Sequence, residues 1–221
     1  DNFSQPFETD VSRLLDIVAN ALYSNRDVFL RELISNAADA CDKLRYDALQ
    51  NPALTKDSAP FAIHLYPDNQ KTTLTLIDNG IGMNRADLIE NLGTIARSGT
   101  SAMLENLKAQ GQEKDVNLIG QFGVGFYASF MVAKDVSVIS QKAGESEIWH
   151  WKSDGKSGFD IREATDIESK ILKDNHGTAI ILNMKGDSFD YLLDDKINEI
   201  VLSYSDHIEV PIYLNSKVEP K

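Results

Sequence analysis

The order in which two periodicities succeed each other restricts this fold most. Apolar residues recur at threes and fours in residues 9–49. Period-two alternation then takes over at 61–66 and 72–77, and returns at 135–140, 147–151, 159–162 and 178–183. A parallel sheet needs a long, usually helical crossover between successive strands. The late segments do not alternate regularly with helices. The expectation is therefore an α/β chain of the α+β kind, a two-layer sandwich with helices on one face of a largely antiparallel mixed sheet. A chain of 221 residues is long enough for one substantial core, and residues 1–221 are taken as a single domain.

In the first helix, expected over 9–23, Val11, Leu14, Leu15, Val18 and Leu22 share a face and Thr9 or Asp10 caps. The second begins at Asn25 or Arg26 and runs to about residue 49, where Asn51-Pro52 stops it. Residues 67–70 are expected to turn a hairpin between the first two strands. A short helix over 85–91, a helix over 126–132, helical spacing over 191–204 and a last strand over 208–214 complete the outline. Residues 93–125 differ in kind, holding Gly93, Gly99, Gly111, Gly120, Gly123 and Gly125 with modest apolar content. Such permissive backbone suits a mobile cover with a helix at 102–108 and a polar tip at 110–115.

The balance of 34 acidic against 22 basic residues, net −12, repels phosphate backbones and anionic lipid. Neither nucleic acid nor membrane is expected as a partner. No apolar run is long enough to cross a bilayer and no secretion signal opens the chain, so a cytoplasmic setting is expected. Cys41 is the one cysteine and is expected as a small buried hydrophobe. His64, His150, His176 and His207 show no zinc-ligand spacing. The start at Asp1 and the end at Lys221 suggest a piece of something longer.

Chemistry gathers in a few strings. Glu32, Asn36 and Asp39 fall at i, i+4 and i+7, one face of the second helix. A carboxylate there can take a proton from water, an amide oxygen can ligate a hard cation, and a second carboxylate can hold its waters. A polar stripe is also what any solvated helix face shows. In Asp78-Asn-Gly-Ile-Gly-Met83 a strand-end carboxylate faces a slot that Gly80 and Gly82 leave open, suiting an exocyclic amine such as that of adenine. An ordinary Asp-Asn-Gly turn uses the same residues. Gly120-Gln-Phe-Gly-Val-Gly-Phe126 opens a helix and offers successive backbone amides to an anion. Its spacing is neither the dinucleotide fingerprint nor a Walker loop. Around Gly93–Thr100, Asn91, Arg97 and small hydroxyls form either a phosphate clamp or a hinge.

The succession Glu32-x-x-x-Asn36-x-x-Asp39, Asp78-x-Gly80-x-Gly82-Met83, Gly120-x-x-Gly123-x-Gly125 and Gly177-Thr178 resembles the ATPase superfamily of gyrase, heat-shock protein 90, histidine kinases and MutL, with its Bergerat ATP-binding fold. The strings at 22–25, 29–36, 92–96, 98–100, 119–127 and 204–207 are most similar to the N-terminal domain of a bacterial heat-shock protein 90 family chaperone. The resemblance covers essentially the whole chain. It implies ATP and ADP as ligands, with Mg²⁺ held through Asn36, and Glu32 as the general base. It places Asp78 on the adenine amine, with Gly82, Met83 and Thr178 beside the ring. Asp39, Asn91, Arg97, Ser98, Gly99, Gly120, Gln121, Phe122, Gly123, Val124, Gly125 and Phe126 fall around the ribose, phosphates and cation. Residues 94–125 correspond to a lid that folds over ATP. The family often has lysine where this chain has Arg97, which keeps the charge and changes the donor geometry.

The resemblance further implies a chaperone ATPase acting on client proteins, with co-chaperones as further partners. Its middle domain, which brings an arginine to the γ-phosphate, and a C-terminal dimerisation domain that makes a homodimer are not in these residues. Weak hydrolysis by this stretch alone follows. A non-hydrolysing nucleotide sensor and another ATPase of the same superfamily are the alternatives.

Overall fold

In the computed structural model, residues 3–6, 25–93 and 125–214 are described. The expected first helix at 9–23 and, apart from Gly93 and Gly125, the cover expected over 93–125 lie outside these residues. The first described helix, α1 (Val28–Gln50), buries Val28, Phe29, Leu30, Leu33, Ile34, Ala37, Ala38, Cys41 and Leu44. These recur at threes and fours, and Glu32 is buried among them. The helix ends where the Asn51 amide bonds back to the Asp47 carbonyl at 3.0 Å and Pro52 opens a 3₁₀ turn, Pro52–Thr55. Proline has no amide with which to continue the ladder.

Strands β2 (Ile63–Asp68) and β3 (Thr73–Asp78) form the expected hairpin, but its turn lies later than 67–70. Pro67 pairs with Leu74 and Asp68 with Thr73. Asp68 Oδ1 accepts the amides of Gln70 and Lys71, both at 2.9 Å, and this side-chain closure places the bend after Asp68. Pro67 is tolerated because the second neighbour of β2 pairs only with residues 63–65. Next come α2 (Arg85–Leu88), the wider turn Ile89–Gly93 and the 3₁₀ helix Gly125–Met131. Then follow β4 (Ala133–Gln141), β5 (Ile148–Ser153), β6 (Phe159–Glu163), the short α3 (Asp166–Ser169) and β7 (Gly177–Met184). The helical spacing at 191–204 divides at Leu193 into a 3₁₀ stretch, Gly186–Leu192, and α4 (Asp194–Tyr204). The final strand β8 is confined to Ile212–Leu214.

With β1 (Phe3–Gln5), these strands make one sheet in the order β1-β6-β5-β4-β7-β3-β2-β8. Only β2 and β8 run parallel; the other neighbours are antiparallel. Leu74, Leu76, Val136, Val138, Ile180 and Leu182 project to the side covered by α1 and α4 and form the main core with Phe29, Leu33 and Ile197. The alternate residues Ile77, Ile139, Ala179 and Ile181 form a small second cluster with Ile171 and Leu172. The expected single helical face is thus right for the main core, and the segment after α3 covers one corner of the other face. Two pieces escaped the sequence reading. They are β1, which depends on pairing with distant β6, and α3, whose N-terminus is closed by the reciprocal bonds of Thr165 and Glu168.

Candidate functional site

At one end of the sheet, a rung crosses the middle strands on the helix-covered side. Asp78 of β3 pairs with Thr178 of β7, which pairs with Ser140 of β4. All three are buried. Asp78 Oδ1 accepts the Gly80 amide at 2.9 Å. Burial pushes the Asp78 carboxyl up to about 7, while the amides of Gly80 and Thr178 pull it down. The charged form therefore has less hydrogen bonding than its burial requires. A ligand N–H would supply some.

Ser140 links the rung to the glycine loop. Its hydroxyl oxygen accepts the Met83 amide at 2.8 Å, and lies 2.8 Å from the Thr178 hydroxyl and 3.1 Å from the Gly177 carbonyl. Gly82 has φ +66°, and a Cβ there would lie 1.8 Å from the Gln141 carbonyl oxygen. Both the left-handed backbone and the close approach exclude a side chain. Met83 is half-buried against the core, and the Asn91 amide nitrogen stands 3.9 Å from its sulfur.

The loop rests on α1. The Ile81 amide donates to the Ala40 carbonyl at 3.0 Å, one helical turn beyond Asn36 and adjacent to Asp39. The loop that carries Asp78 thus meets the helix face that carries the other candidates. Along that face the surroundings differ. Glu32 is 7% exposed, and a Cβ on Gly125 would lie 2.4 Å from its Oε2. Only a glycine lets the start of the 3₁₀ helix close over that carboxylate. Burial raises the pKa of Glu32, Arg31 lowers it, and Asp39 adds to the rise. Asn36 and Asp39 are exposed. Burial raises the Asp39 carboxyl, with Asp42 adding to the effect.

The Phe126 ring turns into the core, edge-on to Trp151 at 5.7 Å, so its backbone is the part left for a ligand. Neighbouring Tyr127 hydrogen-bonds the Leu92 carbonyl through its hydroxyl, tying this helix to the turn that holds Asn91. Arg97, Ser98, Gly99, Gly120, Gln121, Phe122, Gly123 and Val124 lie outside the described residues. A cleft of about 640 Å³ also runs along α1, between Ser35, Asp39, Asp42 and Tyr46 and the segment from His207 to Val210. Asp39 is the one candidate residue in its lining, and Asp78, Ser140 and Thr178 do not line it. Burial pushes the Cys41 thiol up to about 12, which agrees with an inert core cysteine.

The donor set fits a nucleotide better than a resident metal. Among the described residues no group of three or more His, Cys, Asp or Glu side chains could cage an ion. One exposed amide oxygen suits a cation that keeps its waters and takes its other ligands from phosphate. The model of the histidine kinase-, DNA gyrase B- and HSP90-like ATPases matches residues 23–178. The chain belongs to this ATPase family.

As an HSP90-like ATPase domain the chain is a nucleotide-binding domain, and the relatives it matches are chaperones by name. It is 52% identical to the chaperone protein HtpG of Roseobacter denitrificans over 211 residues, 96% of this chain and 33% of the relative. It is 53% identical to that of Rhodospirillum rubrum over 218 residues, 97% and 34%. Against the HtpG of Treponema denticola the identity is 47% over 213 residues, 95% and 33%. The chain thus spans about one third of the length of the curated relatives it matches. Among its described residues no helix is long and apolar enough to cross a membrane.

Ser140 was missed by the sequence reading. It lies at the end of a segment recognised as a strand, but nothing local shows that its register sets it opposite Thr178.

Proposed function

We propose that this chain binds ATP and ADP with its purine against Asp78 and hydrolyses ATP with Mg²⁺ bound through Asn36, as the nucleotide-driven part of a molecular chaperone. The reading is carried by one observation. A buried, under-bonded carboxylate on the Asp78–Thr178–Ser140 rung sits in a loop docked on the helix that carries Glu32 and Asn36. Asp78 accepts the exocyclic amine. Gly82, Met83 and Thr178 shape the ring slot, and Asn91 lies towards the ribose. Residues Arg97 to Gly99, the amides from Gly120 to Gly125 and that of Phe126 hold the phosphates.

Mg²⁺, when bound, neutralises phosphate charge. Asn36 orients it and Asp39 holds its waters. Glu32, raised above the ordinary carboxylate range by burial, is poised to take a proton from the attacking water. Residues 94–125 act as a lid whose closure is transmitted to client proteins and co-chaperones in the cytoplasm. Pairing into a homodimer is assigned to sequence beyond the third of the relatives matched here.

The test is calorimetric titration with ADP, with and without Mg²⁺, and steady-state ATP turnover. Glu32→Gln is expected to lower turnover about 100-fold or more while ADP affinity stays within about twofold. Turnover unchanged in Glu32→Gln would remove Glu32 as the base, and no Mg²⁺-dependent turnover in the parent would leave a nucleotide sensor with no hydrolytic role.

A further inference from the structure

His176 is 3% exposed and precedes Gly177-Thr178, yet it has no part in the reaction just described. Its Nδ1 lies 3.1 Å from the Gly80 carbonyl oxygen, and its Nε2 lies 2.6 Å from the Ser58 hydroxyl. A carbonyl can only accept, so Nδ1 carries the proton. Nε2 is then the acceptor, and the Ser58 hydroxyl donates to it. Both ring nitrogens are thereby satisfied, which leaves no lone pair for a metal or for proton transfer.

The peptide that His176 grips matters to the pocket. The Gly80 carbonyl belongs to the unit whose N–H, that of Ile81, donates to Ala40 of α1 at 3.0 Å. One peptide plane is therefore pinned at its oxygen by His176 and at its nitrogen by the helix. Rotation of that plane would move the preceding Gly80 amide, which bonds Asp78 at 2.9 Å. Asn79 completes the frame. Its amide nitrogen donates to the Pro60 carbonyl at 3.1 Å and to Asp174 at 3.0 Å, and its oxygen accepts the Ala62 amide at 2.9 Å. The loop before β2 and the turn before β7 thus clamp the strand-end aspartate from behind.

We propose that His176, oriented by Ser58, is a positioning residue for the nucleobase pocket: it fixes the Gly80 peptide and so aims the Asp78 carboxylate at the purine. The inference rests on the nucleotide reading above. Its effect belongs to the base, so adenosine and ADP lose affinity by the same factor when the clamp is broken.

The experiment measures dissociation constants of adenosine and ADP for the 221-residue chain and its variants, at a temperature where each is folded, with melting temperatures recorded separately. His176→Phe removes both hydrogen bonds. Ser58→Ala removes only the one that orients the ring, at a half-buried loop position where folding tolerates the change. Ser58→Thr keeps the hydroxyl. The first two are expected to weaken both ligands by about three- to tenfold, as for loss of a buried hydrogen bond, and Ser58→Thr to stay within about twofold of the parent. Lowered melting temperatures with unchanged affinities in both His176→Phe and Ser58→Ala would overturn the proposal, leaving a purely structural contact. So would a loss confined to ADP. Failure of the parent chain to bind ADP would instead overturn the nucleotide reading, and this inference with it.

Discussion

Asp78, Thr178 and Ser140 at the strand ends are 4%, 5% and 0% exposed, joined by short hydrogen bonds and backed by the loop on α1. Asn36 and Asp39, one and two turns beyond Glu32 on that helix, are exposed. The base end is thus fixed before any ligand arrives, and little ordering is left to oppose purine binding. The helix end is open to water. That suits a cation which keeps its hydration and a reaction whose nucleophile is water, but it leaves the phosphates to be positioned by more than α1 provides. On the proposed reading, recognition and chemistry are thereby separated within one site.

The contrast can be broken at Asp78. Asp78→Asn is expected to weaken ADP on the order of 100-fold, the loss of a buried bond to a charged acceptor, as read by calorimetry. The same change is expected to raise the melting temperature of the ligand-free chain above pH 7, because a buried charge disappears. Loss of binding together with loss of stability would show that the carboxylate holds the fold, and would remove the distinction between a binding end and a structural one.

Gly82→Ala tests whether the base end is as tightly built as its contacts indicate. With φ +66° and the Gln141 carbonyl in the way, about 2 kcal/mol of stability should be lost, measured by chemical denaturation. An unchanged midpoint would mean that the loop can shift away from β4.

The smallest effect is on pH. Burial pushes the folded carboxyl of Asp78 up to about 7 from the ordinary 3.8. Between these values the folded state holds a proton that the unfolded chain has released, so this group lowers stability as pH rises through that window. Purine uptake needs the ionised acceptor, so ADP affinity should fall by at most about tenfold per pH unit below about pH 7. In Asp78→Asn this slope should vanish. A slope that survives would place the titrating group at the helix end, where the Glu32 carboxyl is also raised.

Much of the framework is legible in the sequence because it is local. The stripe from Val28 to Leu44, the stop at Asn51-Pro52 and the alternation of β2 to β7 each follow from a repeating pattern over neighbouring residues. The hairpin turn was misplaced because Pro67 suggested a bend. Its position depends on Asp68 capturing two amides and on β8 leaving that part of β2 unpaired. The break at Leu193 and the 3₁₀ form of Gly125–Met131 were equally hidden, since apolar spacing hardly separates one helical hydrogen-bonding pattern from another.

By itself the sequence determined the α+β order of elements, the polar face of α1 and the strand-end aspartate with its glycines, because each is written in residues close along the chain. Only the tertiary structure decided that Ser140 joins the rung, that His176 grips the Gly80 peptide, and that Glu32 is buried while Asn36 and Asp39 on the same helical face stay in water. Strand register and the packing of a loop on a helix bring together residues far apart in the chain, and helical periodicity fixes which way a side chain points without fixing what lies over it.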